Sequence, residues 1–315
     1  MQRNAIRLEG LTPEKRKLFE QLLRSRSAGK PDEAAIPIPP AEPLPDEAPL
    51  DDPRSLDTTS PAEVKQMHRR FYNSVNRQLA ASGLGDFSFF LNYGYVANGS
   101  AEHAAIPLPA HVLNRNSIKL VLETIGYCPI TGCDVLDVGC GRGGTIYVMN
   151  RFFQPRTSTG IDLSPEGVIF CCRTHRYAGT AFAQGDAEQL PFRSGSFDVV
   201  SNVESSHSYP GIEVFYAEVH RVLRPGGTFL YTDSMPSALR ESRIDLLRRI
   251  GFDVLRETDI TANVLLSCDE IAGRRRDSFS GGGEVLNDFL AVPGSTMYEA
   301  FRSGVLTYGI WKLRK

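Results

Sequence analysis

The stretch Asp134–Gly144, Asp-Val-Leu-Asp-Val-Gly-Cys-Gly-Arg-Gly-Gly, constrains this chain more than any other. Val135 to Val138 read as a short apolar strand, and the glycines at 139, 141, 143 and 144 predict a tight turn that opens into a helix near Gly144. Glycine supplies positive φ for the turn and lets a ligand approach the backbone. Such a strand–turn–helix junction is a ligand cradle, and it predicts an α/β fold with a doubly wound, mostly parallel sheet.

The glycine spacing leaves the ligand open, because Gly139, Gly141 and Gly144 also satisfy the G-x-G-x-x-G pattern of nicotinamide and flavin binding. Asp137 tilts the choice. Two residues before the first glycine, its carboxylate would repel a pyrophosphate seated at the helix N-terminus. S-adenosylmethionine has no phosphate and carries an ammonium and a sulfonium, which an acidic neighbour attracts.

Alternation of strand and helix continues after the turn. A second strand near Ser158 to Asp162 ends in an acid 25 positions beyond Asp137, placed to accept two ribose hydroxyls; a helix cap before Pro165 would use the same residues. A third strand, 180–185, ends at Asp186 and Ala187, suited to an adenine amino group and ring. A fourth, 196–201, leads into the polar loop Asn202 to Pro210, which contains Glu204 and His207. A helix over 212–223, a strand over 228–232, a helix over 236–250 and a strand over 252–258 follow, then a helical insertion at 261–303. The run 304–313 fits a final edge strand.

Upstream, residues 12–25 predict an isolated amphipathic helix, and the proline-rich, acidic residues 31–60 predict an extended linker. Ser60, Pro61 and Glu63 form a capping box for a second helix. Residues 87–95, with Asn92, Tyr93 and Tyr95, suit an aromatic lid, and a helix over 113–125 leads into the first strand. The expected divisions are therefore a docking element (1–30), a linker (31–60), a helical lid region (61–130) and a catalytic domain (131–315).

A net charge of −2 without a long basic run argues against nucleic acid or anionic membranes, so a small molecule is the expected partner. No apolar run reaches membrane-spanning length, and the polar start lacks a signal segment, which points to the cytoplasm. The six cysteines have no zinc-like spacing and read as reduced core residues.

Taken in order, Val135-Leu-Asp-Val-Gly-Cys-Gly-Arg-Gly, Gly160-Ile-Asp-Leu-Ser, Gln184-Gly-Asp-Ala-Glu-Gln-Leu-Pro-Phe, Phe197-Asp-Val-Val-Ser-Asn-Val-Glu and Leu223-Arg-Pro-Gly-Gly resemble the class I S-adenosylmethionine-dependent methyltransferases. Asn202-Val-Glu-Ser-Ser-His-Ser-Tyr-Pro and Glu218-Val-His-Arg-Val-Leu-Arg-Pro-Gly-Gly are similar to the phthiotriol-type and polyketide O-methyltransferases within them. The resemblance implies a Rossmann-like fold, S-adenosylmethionine as donor and a hydroxyl of a polyketide or hybrid peptide product as acceptor. It implies that Asp137, Gly139 and Gly141 hold the methionine moiety, Asp162 the ribose, with Leu163 beside it, and Asp186 and Ala187 the adenine. Asn202 would lie in the loop beside the sulfonium, and Tyr93 of the lid over the donor. His207, which titrates near neutral pH, is the candidate base, or else a structural histidine bonded within the loop; Glu204 would orient it or serve as a solvated cap. Residues 12–25 resemble linker segments of polyketide and nonribosomal peptide synthases, implying a synthase partner, with folding back on the catalytic domain or pairing in a homodimer as the other uses of that helix. Carbon methylation, a nicotinamide-dependent oxidoreductase and a non-catalytic docking protein remain as alternatives.

Overall fold

The computed structural model describes residues 60–81, 85–99, 106–278 and 287–315. The helix expected over 12–25, nearly all of the 31–60 linker and the glycines 281–283 lie outside the described residues.

The sheet grows outward from β1 (Asp134–Val138). Val135, Leu136 and Val138 are all fully buried, as a parallel strand covered on both faces requires. β1 pairs in parallel with β2 (Thr157–Asp162) on one side and β4 (Phe197–Val203) on the other, which sets Asp137 opposite Gly160 and Ser201. β3 (Thr180–Gln184) continues beyond β2, and β5 (Leu223–Pro236) beyond β4. With β6 (Asp253–Asp259) and β7 (Leu306–Arg314) the order is β3-β2-β1-β4-β5-β7-β6, a doubly wound sheet whose switch point lies between β1 and β4.

β7 is not the edge strand that its alternation predicted. It runs antiparallel between β5 and β6, with Ile310 opposite both Thr232 and Thr258. Tyr308, Ile310, Trp311 and Leu313 are all buried, so both of its faces are packed, and the Trp311 ring stacks on Tyr231 with centroids 5.2 Å apart.

Helices cover both faces, and the alternation of side chains along β1 sorts the two cores. Leu136 and Val138 join Phe215 and Val219 of the helix Ile212–Val222 and Leu247 of the helix Arg240–Ile250. Val135 turns the other way, toward Ile118 and Val121 of the helix Arg115–Ile125 and Val148 and Met149 of the helix Gly144–Phe152. In front of the strand ends lies α1 (Pro61–Ala81), begun by the expected capping box: Ser60 N–H donates to Glu63 Oε2 at 2.8 Å and Glu63 N–H to Ser60 Oγ at 3.4 Å. Its buried Phe71 and Val75 pack with Leu91 and Phe289. The segment expected as an insertion supplies the helices Thr261–Ser278 and Thr296–Arg302, and Val264 and Phe301 from them share a core with Tyr93 and Tyr308.

Candidate active site

The carboxyl ends of the parallel strands carry the polar side chains, and the glycine turn folds over them. Gly139 has φ +70° and its N–H donates to Ile161 O at 2.8 Å, which bends the chain across the end of β2. A Cβ on Gly139 would sit 1.9 Å from Ser205 Oγ, so the loop after β4 packs directly on the turn. Gly141 faces the open side: a Cβ there would meet only Leu91 at 3.7 Å. The space beyond is a cavity of about 530 Å³ enclosed by the turn, α1, the lid residues Phe89 to Tyr93, the loop after β4 and the end of β5. A narrower cleft of about 60 Å³ opens from it past Asp162 and Tyr209 toward Leu163, Asp186 and Ala187. One elongated site therefore runs from the end of β3 to the end of β5.

Asp162 stands where the two spaces meet. Its oxygens accept N–H bonds from Gly141 and Ser164, both at 2.8 Å, which fixes the carboxylate plane and leaves lone pairs for a diol. Burial raises its pKa, and the two backbone bonds pull it back. Asp137 lies beneath the turn rather than on the cavity wall, 1% exposed, accepting from Ser201 Oγ at 2.6 Å. Burial, with Asp162 adding, pushes it up to about 7. At the far end Asp186 accepts from Glu188 N–H at 2.9 Å and pairs with Lys65 of α1 at 2.7 Å; Lys65 also reaches Glu188 at 2.6 Å.

At the other end His207 lines the main cavity, and its Nδ1 lies 2.7 Å from Asp233 Oδ1. Asp233 is wholly buried and also accepts from Ser206 Oγ at 2.6 Å and from the N–H groups of His207 and Ser234. Burial pushes its pKa up, but His207 and these donors outweigh it and hold the group below the usual carboxylate range. Asp233 is thus an acceptor, Nδ1 carries the proton, and the basic lone pair of the neutral ring falls on Nε2.

Glu204 Oε2 accepts from Tyr93 N–H at 2.9 Å and Tyr308 OH at 2.5 Å, so it ties the lid to β7 rather than standing as a solvated cap. The expectation for Asn202 needs correction. Asn202 is not in a loop, because β4 continues through Val203. Its fully buried Nδ2 donates to Val138 O at 2.8 Å and contacts Tyr209 OH at 3.2 Å, bracing the turn from behind rather than lining either space. Tyr93 does border the main cavity, as does Gly139.

Asp233, Lys65 and Arg142 were missed. Asp233 ends the Tyr231-Thr-Asp run as Asp162 ends β2, so the same strand-end signal was available. Arg142 lies within the glycine turn, but its partners are distant in sequence: Asn76 Oδ1 at 2.7 Å, Ser88 O at 2.6 Å and Gly85 O at 2.5 Å, with the guanidinium 3.6 Å over the Phe170 ring. Burial pulls it down to about 10. It locks α1 and the lid onto the turn.

The glycine turn, the acid at the end of β2 and the cleft beyond it are a cradle in which an adenosyl group and an amino-acid tail fit. A family model described as a methyltransferase domain matches residues 136–231. The chain is 42% identical over 261 residues to a fatty-acid O-methyltransferase of Mycolicibacterium smegmatis, covering 78% of this chain and 89% of that protein. It is 33% identical over 276 residues to a phthiotriol/phenolphthiotriol dimycocerosates methyltransferase of Mycobacterium tuberculosis, covering 81% and 94%. The geranyl diphosphate C-methyltransferase of Streptomyces coelicolor, solved with S-adenosyl-L-homocysteine, shares the fold with a TM-score of 0.59 over 80% of this chain and 97% of that one, at 19% identity.

Proposed function

The chain belongs to the S-adenosylmethionine-dependent methyltransferases, and on that premise we propose that it methylates a hydroxyl oxygen of an apolar secondary metabolite of polyketide or mixed peptide–polyketide type. Bound S-adenosylmethionine supplies a methyl group already activated on a sulfonium. Asp137, through the turn, and the backbone at Gly139 and Gly141 take the methionine end. Asp162 accepts the ribose hydroxyls beside Leu163, and Asp186 and Ala187 meet the adenine. Tyr93 and the lid exclude water. Asn202 serves the turn and is not assigned a donor contact.

The observation that carries the reading is the 2.7 Å pair of His207 and Asp233 on the cavity wall. A hydroxyl loses its proton as the new carbon–oxygen bond forms, and a neutral imidazole with its lone pair on Nε2 can accept it. Asp233, already ionised and buried, stabilises the imidazolium that results. The work of the protein is then alignment plus one proton transfer.

A second reading, transfer to the carboxylate of a fatty acid, is favoured by the name of the 42% identical relative. That acceptor needs no base, and the dyad would have no task. The test is methyl transfer by the purified protein to a long-chain alcohol and to the fatty acid of equal length. Preference for the alcohol, with at least about a hundredfold loss of turnover and unchanged donor affinity in His207→Ala, supports the hydroxyl reading. Preference for the acid overturns it.

The likeness of residues 12–25 to synthase linker segments supports delivery of the acceptor by a polyketide or nonribosomal peptide synthase; pairing of that helix in a homodimer is the competing use. Among the described residues no helix is long and apolar enough to cross a membrane.

A further inference from the structure

Tyr72 stands where the donor space and the acceptor space meet. It projects from the middle of α1 and borders both the main cavity and the narrower cleft that opens past Asp162. Its ring packs edge-on against Phe71 and Phe289, with centroids 5.4 and 6.1 Å away, so the ring plane is held from two sides. The backbone beneath it is tied to the glycine turn through one side chain: Asn76 Nδ2 donates to Tyr72 O at 2.9 Å, while Asn76 Oδ1 accepts from Arg142 at 2.7 Å. The helix turn that carries the phenol is therefore fixed to the same loop that cradles the donor.

Burial raises the pKa of the phenol to about 12, so it keeps its proton through neutral pH. The Ser208 hydroxyl acts against that rise, as a donor to the phenol oxygen does, and Glu204, Asp162 and Asp233 add to it. Those three carboxylates belong to the residue after β4, to the end of β2 and to β5, so a group within reach of all of them lies centrally across the strand ends. With its oxygen taking the Ser208 proton, what the phenol has left to offer a ligand is its own O–H.

We propose that Tyr72 is a catalytic residue that donates its phenol O–H to the reacting oxygen of the acceptor and so aims that oxygen at the methyl group. The proposal rests on the reading above that the acceptor atom is oxygen. Each position on a hydroxyl oxygen is then assigned: its proton passes to His207 Nε2, one lone pair forms the bond to the methyl carbon as the carbon–sulfur bond breaks, and the other accepts from Tyr72. A carboxylate oxygen, with no proton to lose, would be held by the same bond. The sulfur of a thiol is a weak hydrogen-bond acceptor and would gain little from it.

The experiment uses the full chain and three acceptors of equal length: a long-chain secondary alcohol, the corresponding thiol and the fatty acid. Tyr72→Phe keeps the ring and its packing and removes only the hydroxyl. It is expected to lower kcat/KM for the preferred oxygen acceptor at least about tenfold and for the thiol by less than about threefold, with donor affinity within about threefold. Calorimetry on the protein loaded with S-adenosylhomocysteine is expected to show the methyl ether of the alcohol binding Tyr72→Phe about fivefold more weakly than wild type, because an ether oxygen still accepts from the phenol, while the methyl thioether binds both equally. An unchanged rate on the oxygen acceptor overturns the proposal. Equal losses on oxygen and sulfur assign Tyr72 to the fold and overturn it too, as does a tenfold loss of donor affinity, which assigns the phenol to the donor. A wild type that prefers the acid to the alcohol overturns the hydroxyl reading and leaves the role of Tyr72 to be read on the acid; a wild type that accepts only the thiol overturns both. Should Tyr72→Phe fail to fold, the wild type decides: the ether is expected to bind at least about fivefold tighter than the thioether, and equal binding overturns the proposal.

Discussion

Asp137 bears two demands that pull apart. Burial beneath the turn pushes its pKa up to about 7, so the folded protein holds a proton there that the unfolded chain releases near pH 4. Because the folded state binds more protons between about pH 4 and 7, stability falls as pH rises through that window and levels off above it. We expect Asp137→Asn to be more stable than wild type at pH 8 by on the order of 3 kcal/mol, with no gain at pH 4, and to bind the donor more weakly. Urea denaturation at the two pH values checks the first part; a gain of equal size at both would mean that packing, not charge, is responsible. A second residue-scale expectation concerns Asp233. Asp233→Asn removes the acceptor that fixes the His207 tautomer, and turnover is expected to fall about a hundredfold with donor affinity unchanged. The double variant with His207→Ala should then be no worse than His207→Ala alone, whereas additive losses would separate the two residues. The candidates for the donor side were legible because Asp162 ends β2 and Asp186 follows the end of β3 by two residues. The acceptor end was not. Glu204 and His207 are neighbours in sequence, yet each takes its partner from another strand, Tyr308 of β7 and Asp233 of β5, and spacing along the chain carries no record of that pairing.

At the scale of elements, what turns an open crevice into a cavity is the attachment of α1 and the lid to the sheet. One buried guanidinium does much of this, with Lys65 bridging α1 to Asp186 and Glu188 beyond the end of β3. Removing the guanidinium while keeping an apolar stem leaves Asn76 Oδ1 and the carbonyls of Ser88 and Gly85 without their donor. We expect Arg142→Met to cost about 3 kcal/mol and to speed donor release several-fold. Chemical denaturation with stopped-flow dissociation tests this; a loss below about 1 kcal/mol would show that the apolar contacts of Phe71 and Val75 hold the lid unaided. Element types were largely readable, since β1 is a short apolar run closed by a glycine, β2 ends in an acid, and α1 carries its own capping box. The positions that misled were those where packing overrides pattern. β4 extends through Asn202 and Val203 because Val203 pairs with Thr232 of the longer β5. β7 lies inside the sheet because its polar-looking positions, Thr307 among them, are buried against β5 and β6.

For the molecule as a whole, the described residues from Ser60 onward contain every strand of the sheet, both parts of the cavity and each residue assigned to donor or acceptor. α1 is capped by Ser60 and Glu63, from its own first turn. The order of motifs made the catalytic domain legible at this scale, because a doubly wound sheet gathers successive strand ends along one crevice whatever the loops between them do. A role for the segment ahead of α1 has no such rule behind it, and rests on the likeness of residues 12–25 to synthase linkers. These facts together predict the result of removing residues 1–55. Methylation of a free acceptor should stay within about threefold of the full chain and the melting temperature within a few degrees, since the sheet, the cavity and α1 with its cap are all built from residues after 55. Transfer to an acceptor still attached to its synthase should fall more steeply, by at least about tenfold, because docking raises the local concentration of the two partners and its loss returns the encounter to free diffusion. Equal losses on free and tethered acceptors would assign the segment to the fold of the catalytic domain instead, and a change from dimer to monomer in sedimentation, with both activities kept, would assign it to self-association.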